Sequence, residues 1–187
     1  MAKIDFKTYD TKGFYDEMIG PDGKVRPHYD LFKERLSKMD WKKLNFLQYS
    51  TDRAQLSLGM TFNVYGDNQG IERILHLDII PRIISKQDWD YIEKGLKQRI
   101  QALNMFIDDI YHEQKIIKDK IIPEELVFSS STYRQECIGL NPPQNIWCHI
   151  SGTDLIRGAD GAFYVLEDNL RCPSGVSYML ENREILK

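Results

Sequence analysis

The chain has 187 residues, 42% of them hydrophobic and 28% charged, with a formal net charge of -3. That is enough for one sizeable domain or two small ones with a buried core; it argues against wholesale disorder and against a basic field that would draw in nucleic acid or anionic lipid. No apolar run approaches the roughly 18 residues of a membrane helix, and Met1-Ala2-Lys3-Ile4-Asp5-Phe6 lacks the apolar core of a secretory signal. Cys137, Cys148 and Cys172 are an odd count with no Cys-x-x-Cys pair, which speaks against a disulfide framework and a zinc site, and a reducing cytoplasm is expected. His28, His76, His112 and His149 show no metal-ligand spacing.

In chain order, a short helical pattern is expected around Phe14 to Ile19, before the turn signal Gly20-Pro21-Asp22-Gly23. A second runs from about His28 to Lys38, with Tyr29, Phe32 and Leu36 on one face. A third runs from about Trp41 to Leu58, with Trp41, Leu44 and Leu47 less regularly spaced. Thr61 to Tyr65 and Ile71 to Ile80 read as strands across Gly66-Asp67-Asn68. The strongest local signal is a long helix from about Lys86 to Glu113. Ser85-Lys86-Gln87-Asp88 resembles a capping box. Trp89, Ile92, Leu96, Ile100, Leu103, Phe106 and Ile110 then recur at spacings of three and four, one apolar stripe that packs against a core. Gln98, Arg99 and Asn104 flank it and are within reach of a ligand, with solvated polar positions as the default expectation. Leu126 to Ser130 reads as a short strand after Pro123, and Pro142-Pro143 starts a new element. Ile146 to Ile156 and Phe163 to Asn169 read as paired strands, and about Val176 to Leu186 as a final helix.

Ala159-Asp160-Gly161-Ala162 joins the last two strands. Asp-Gly suits a two-residue type I′ turn, because glycine accepts positive φ. With Asp160 and Gly161 as the loop, Ala159 faces Ala162, Asp154 faces Glu167 and Gly152 faces Asn169. Side chains alternate, so Asp154, Glu167 and Asn169 share one face, and Leu155, Leu166 and Asp168 the other. Two opposed carboxylates repel, and a divalent cation compensates them. Two carboxylates and an amide suit magnesium rather than zinc. The bland alternative is that one acid points to solvent or meets Arg157 or Arg171. Beyond the hairpin, Arg171-Cys172-Pro173-Ser174-Gly175 leads into the last helix with Ser174 at the N-cap position. A helix start offers free N–H groups to an anion, and Arg171 adds a planar donor fork. An ordinary capped helix explains the same residues.

The run from Val165 through Glu167-Asp168-Asn169-Leu170-Arg171-Cys172-Pro173-Ser174-Gly175 to Arg183 resembles the signature of the circularly permuted ATP-grasp proteins, relatives of glutathionylspermidine synthase. The resemblance extends through Gly152 to Arg157, Gln98 to Asn104, Gly23 to Tyr29 and Tyr15 to Met18, and so spans nearly the whole chain. It implies an α/β (α+β) fold, an ATP-grasp-like mixed sheet with flanking helices, here incomplete. A helical segment over 1–60 would precede a partial core over 61–187. It implies a magnesium-dependent ligase that activates a carboxylate as an acyl phosphate for attack by an amine. Asp154, Glu167 and Asn169 would hold magnesium on the ATP phosphates. Arg171 and Ser174, with Gly175, would sit at the phosphate or acyl-phosphate end. Expected partners are a small-molecule or peptide carboxylate, an amine, and the remainder of the module beyond Lys187, with no nucleic acid and no membrane. Family members continue past Arg183 into a lysine-bearing lid, so this chain alone is expected not to turn over ATP. The alternative is a non-catalytic scaffold or binding module on the same fold.

Overall fold

A computed structural model describes residues 6, 9–63 and 72–187. The chain divides into two compact units. One comprises 1–86, 156–164 and 174–187; the other comprises 87–155 and 165–173.

The first unit is built around Tyr29. A 3-10 turn, Pro27–Tyr29, feeds helix α1, Asp30–Ser37. Met18, Ile19, Tyr29, Leu36 and Leu44 are buried together, with Phe6, Val25, Phe32, Ile79 and Ile83 packed against them. The Tyr29 hydroxyl donates to Pro81 O at 3.0 Å and accepts from Ile83 N at 2.5 Å, so a buried polar atom is satisfied on both counts. Burial pushes this phenol above its ordinary pKa. Phe14 to Ile19 is not helical, contrary to the sequence expectation. Asp16 Oδ1 accepts from the N–H groups of Met18 and Ile19, and Ile19 bridges Val25 across the Gly20–Gly23 turn. An aspartate that satisfies nearby N–H groups offers the backbone an alternative to a helix.

Helix α2, Trp41–Ser57, starts where Asp40 accepts from Lys43 N. It buries Leu44, Thr51 and Gln55. Strands β1, Thr61–Asn63, and β2, Glu72–Ile74, pair antiparallel with Thr61 opposite Ile74. The expected turn at Gly66-Asp67-Asn68 lies outside the described residues. The second strand is shorter than its apolar run because α2 claims its carbonyls: Gln55 Nε2 donates to Leu75 O and Gln48 Nε2 to Leu77 O.

The second unit hangs on α3, Lys86–Tyr111, the long helix that the spacing predicts. Ile92 and Ile110 are buried on it. At its far end Tyr111 stacks between Tyr133 and Trp147, at centroid distances of 5.4 and 5.2 Å. Asn104 pins the chain after Pro143, donating to Asn145 O and accepting from Trp147 N. Those bonds hold 146–151 as a loop rather than as the start of a strand. A single turn, α4, covers Lys115–Lys118. The expected strand after Pro123 is instead a short helix, α5, Glu124–Phe128. Proline at its entrance and two glutamates in its first turn favour a helix start over an extended strand. Strands β3, Gly152–Arg157, and β4, Phe163–Asn169, pair with each other, and the next helix in the chain, α6, Gly175–Ile185, belongs to the first unit. The chain is α+β. Among the described residues strands meet only in these two pairs, so they assemble no wider mixed sheet. No helix among them is long and apolar enough to cross a membrane.

Candidate functional site

The turn of the β3–β4 hairpin differs from the expected one. Gly161 N donates to Gly158 O and Gly158 N to Ala162 O, both at 2.9 Å, and Gly161 has φ +82°. Positive φ is confined to Gly161, so the loop is three residues, Ala159 to Gly161, a type I turn followed by a left-handed glycine. Gly158, not Ala159, faces Ala162. Asp160 fixes this shape: one carboxylate oxygen accepts from Ala162 N at 3.0 Å and the other from the Tyr164 hydroxyl at 2.7 Å. The Tyr164 hydroxyl, then the Ala162 N–H, hold the Asp160 carboxyl below its usual range, and the same bond raises the Tyr164 phenol. Next to the turn, Arg157 donates to Gly161 O and lies over the rings of Phe163, at 4.4 Å, and Tyr15, at 4.0 Å.

Counted outward from Gly158 and Ala162, Asp154 would face Leu166, and Glu167 would fall on the opposite face with Thr153. The other end of the hairpin has a different register. Thr153 Oγ1 donates to Asp168 Oδ1 at 3.0 Å, and a Cβ built on Gly152 would stand 3.7 Å from Asn169 Cβ. Between these ends β4 therefore carries one residue more than β3, a β-bulge. Exposure locates it. The alternation along β4 breaks at Leu166 and Glu167, which are both exposed, while Asp168 returns to the inner side. Leu166 is 66% exposed, where the sequence expectation set it beside Leu155 and Asp168.

The bulge gives two faces of opposite character. On the inner one, Asp168 is spent: Arg99 Nε of α3 meets Oδ2 at 2.7 Å, Thr153 takes Oδ1, and the side chain is 9% exposed. On the outer one, Asp154 follows Gly152 by two residues, Gly152 faces Asn169, and Asn169 Nδ2 donates to Glu167 Oε1 at 3.0 Å. All three side chains are exposed, and neither Asp154 nor Glu167 meets a cation among the described residues. The acids do not meet Arg157 or Arg171. Two uncompensated carboxylates and an amide oxygen form an oxygen-only donor set that fits a hard divalent cation such as magnesium. Among the described residues no three histidine, cysteine, aspartate or glutamate side chains cluster.

Arg171 is exposed and makes no hydrogen bond or ion pair among the described residues. With Asp168, Asn169, Leu170 and Cys172 it lines an open cavity of about 530 Å³. Cys148 Sγ donates to Leu170 O at 2.9 Å and anchors this stretch. Ser174 occupies the position before α6, but its backbone is already helical and its hydroxyl caps nothing. Ser177 Oγ donates to Ser174 O instead. The Ser174 hydroxyl and the first N–H groups of α6, from Gly175 onward, are open to another acceptor. Arg99 and Asn104, solvated by default in the sequence expectation, have protein partners in the structure. Thr153 and Tyr15, to which the sequence assigns no role, contact Asp168 and Arg157. Strand alternation could have found Thr153, two residues before Leu155. Nothing local marks the partners of Arg99 and Tyr15, which are remote in the chain.

Residues 81–187 match the family model described as circularly permuted ATP-grasp type 2, and the chain belongs to that family. It is 47% identical over 184 residues to an uncharacterised protein of Synechocystis sp., covering 98% of this chain and 38% of that protein. It is 40% identical to an uncharacterised protein of Mycobacterium leprae, over 97% of this chain and 32% of that one. A Frankia alni protein named "Putative glutamate--cysteine ligase 2-3" is 36% identical over 99% of this chain and 21% of its own length. The chain thus spans less than two fifths of the length of these relatives.

Proposed function

We propose that the chain forms the metal- and phosphate-binding part of an ATP-dependent ligase that joins a carboxylate to an amine. The observation that carries this reading is the outer face of the hairpin, where Asp154 and Glu167 stand beside Asn169 without a cationic partner among the described residues. Family membership supports the use of ATP. The name of the Frankia relative supports formation of an amide from a carboxylate and an amine. In this reading Asp154, Glu167 and Asn169 hold magnesium against the ATP phosphates. Bound there, the ion would supply charge stabilisation as a phosphoryl group leaves ATP for the substrate carboxylate. Arg171 offers a donor fork to the transferred phosphoryl or the activated carboxylate. The Ser174 hydroxyl and the Gly175 N–H add donors at the start of α6. The amine then displaces phosphate from the acyl phosphate and an amide remains.

Calorimetric titration of the protein with ATP, in excess magnesium and again in EDTA, tests this. Binding is expected to require magnesium and to fall at least tenfold in Glu167→Ala, with an unchanged melting temperature. Binding that is equal in EDTA, or untouched by Glu167→Ala, overturns the metal assignment.

A further inference from the structure

Glu167, Asp168 and Asn169 are consecutive, and only a local break in strand alternation lets Glu167 join Asp154 on the outer face. The three-residue turn sets one register and the Thr153–Asp168 bond another, so the hairpin must hold one extra residue in β4 between them. A bulge of this kind can slip: moving the extra residue out past the far end of β4 would carry the turn's register through the strand and swing Glu167 and Asn169 to the inner side. Something has to fix which residue goes inward. Asp168 is the one held, by two partners from two elements. Arg99 Nε reaches it from α3 at 2.7 Å, and Thr153 Oγ1 reaches it from β3 at 3.0 Å. A slipped register would turn Asp168 outward and strip it of both.

We infer that Arg99 is a positioning residue for the metal site: through Asp168 it holds the β4 bulge in the register that presents Glu167 and Asn169 beside Asp154. Arg99 touches none of the three itself. Its bond lies on the far side of the strand and acts through strand alternation. The inference rests on the metal reading proposed above, and the test separates the two.

Manganese(II) alone serves as the probe, with bound ion followed by water-proton relaxation and its place by paramagnetic broadening of the Asn169 side-chain amide. Wild type should bind and broaden Asn169, and Glu167→Gln should not bind. Loss of an outer-shell partner commonly costs about 10- to 100-fold in metal affinity. Arg99→Ala should lose affinity in that range at a temperature well below its melting transition, with an unchanged far-ultraviolet spectrum. Arg99→Lys, which keeps the charge near Asp168, should recover part of the loss, a rescue that a general loss of packing would not show. If Arg99→Ala does not fold, Thr153→Val decides the matter, since it removes the other partner of Asp168 at constant shape. Wild-type manganese affinity in Arg99→Ala or, failing that, in Thr153→Val, beside no binding in Glu167→Gln, would overturn the inference and leave the metal reading standing. No binding in wild type, or binding indifferent to Glu167→Gln, would remove the metal reading and the inference with it.

Discussion

Glu167 and Asp168 are neighbours in the chain, carry the same charge and sit in the same strand, yet they live in opposite surroundings. Asp168 is nearly buried and both its oxygens are taken. Glu167 is exposed and, among the described residues, has only the Asn169 amide as a hydrogen-bond partner. Asp160, at the turn, is a third case: exposed, but tied to Ala162 and Tyr164. An acid whose oxygens are satisfied within the fold is structural. An acid left facing another acid is a cost that the fold by itself does not recover, and such a cost invites a ligand.

Breaking that contrast should start with Asp168→Ala, the largest effect on stability. It removes a charge-assisted bond from a nearly buried group and leaves Arg99 and Thr153 without their acceptor, so a loss of about 1.5–3 kcal/mol is expected in chemical denaturation. A loss under about 0.5 kcal/mol would mean that the inner face is not held by this acid. Gly152→Ala comes next. Its Cβ would stand 2.9 Å from Pro173 Cβ, inside contact distance, and the neighbouring loop must shift. About 1–3 kcal/mol is expected, as for overpacking elsewhere, with a changed Asn169 amide signal as the direct readout.

The turn sharpens the contrast through pH. The Asp160 carboxyl is held below its usual range, first by the Tyr164 hydroxyl. A depressed folded pKa contributes stability that is present above the unfolded value, about 4, and disappears as pH falls through the folded value. The melting-temperature gap between wild type and Tyr164→Phe should therefore be constant above roughly pH 5 and close as the solution is acidified below about 4. A gap that widens in acid would reverse the sign of this linkage. The smallest effect on stability belongs to Glu167→Ala. Removing one of two like charges on a face should leave the protein within about 0.5 kcal/mol of wild type, or slightly more stable, in metal-free buffer. Marked destabilisation there would show that Glu167 has a structural partner and would erase the distinction from Asp168.

What the sequence determined by itself were the features written in short-range pattern. The seven-residue apolar stripe marks α3, the Asp-Gly dipeptide marks a hairpin between two strand-like runs, and the run from about Val176 to Leu186 marks α6. Each depends on residues three or four apart, or on alternate residues, and local sterics suffice to write them. The identity of the acids at 154, 167 and 168 was equally plain. Which acid faces which way was not, because side chains alternate with a period of two and one residue of turn or bulge inverts the answer. The expected two-residue turn and the observed three-residue turn differ by one, and the bulge takes up the difference further out. Where Asp16 drew Phe14 to Ile19 out of a helix and Pro123 led 124–128 into one, side-chain acceptors and helix-start chemistry outweighed an apolar pattern. The inward hold on Asp168 came only from tertiary structure. Its partner Arg99 sits on a helix far away in the chain, and a charge pair across such a separation leaves no periodic trace in the sequence.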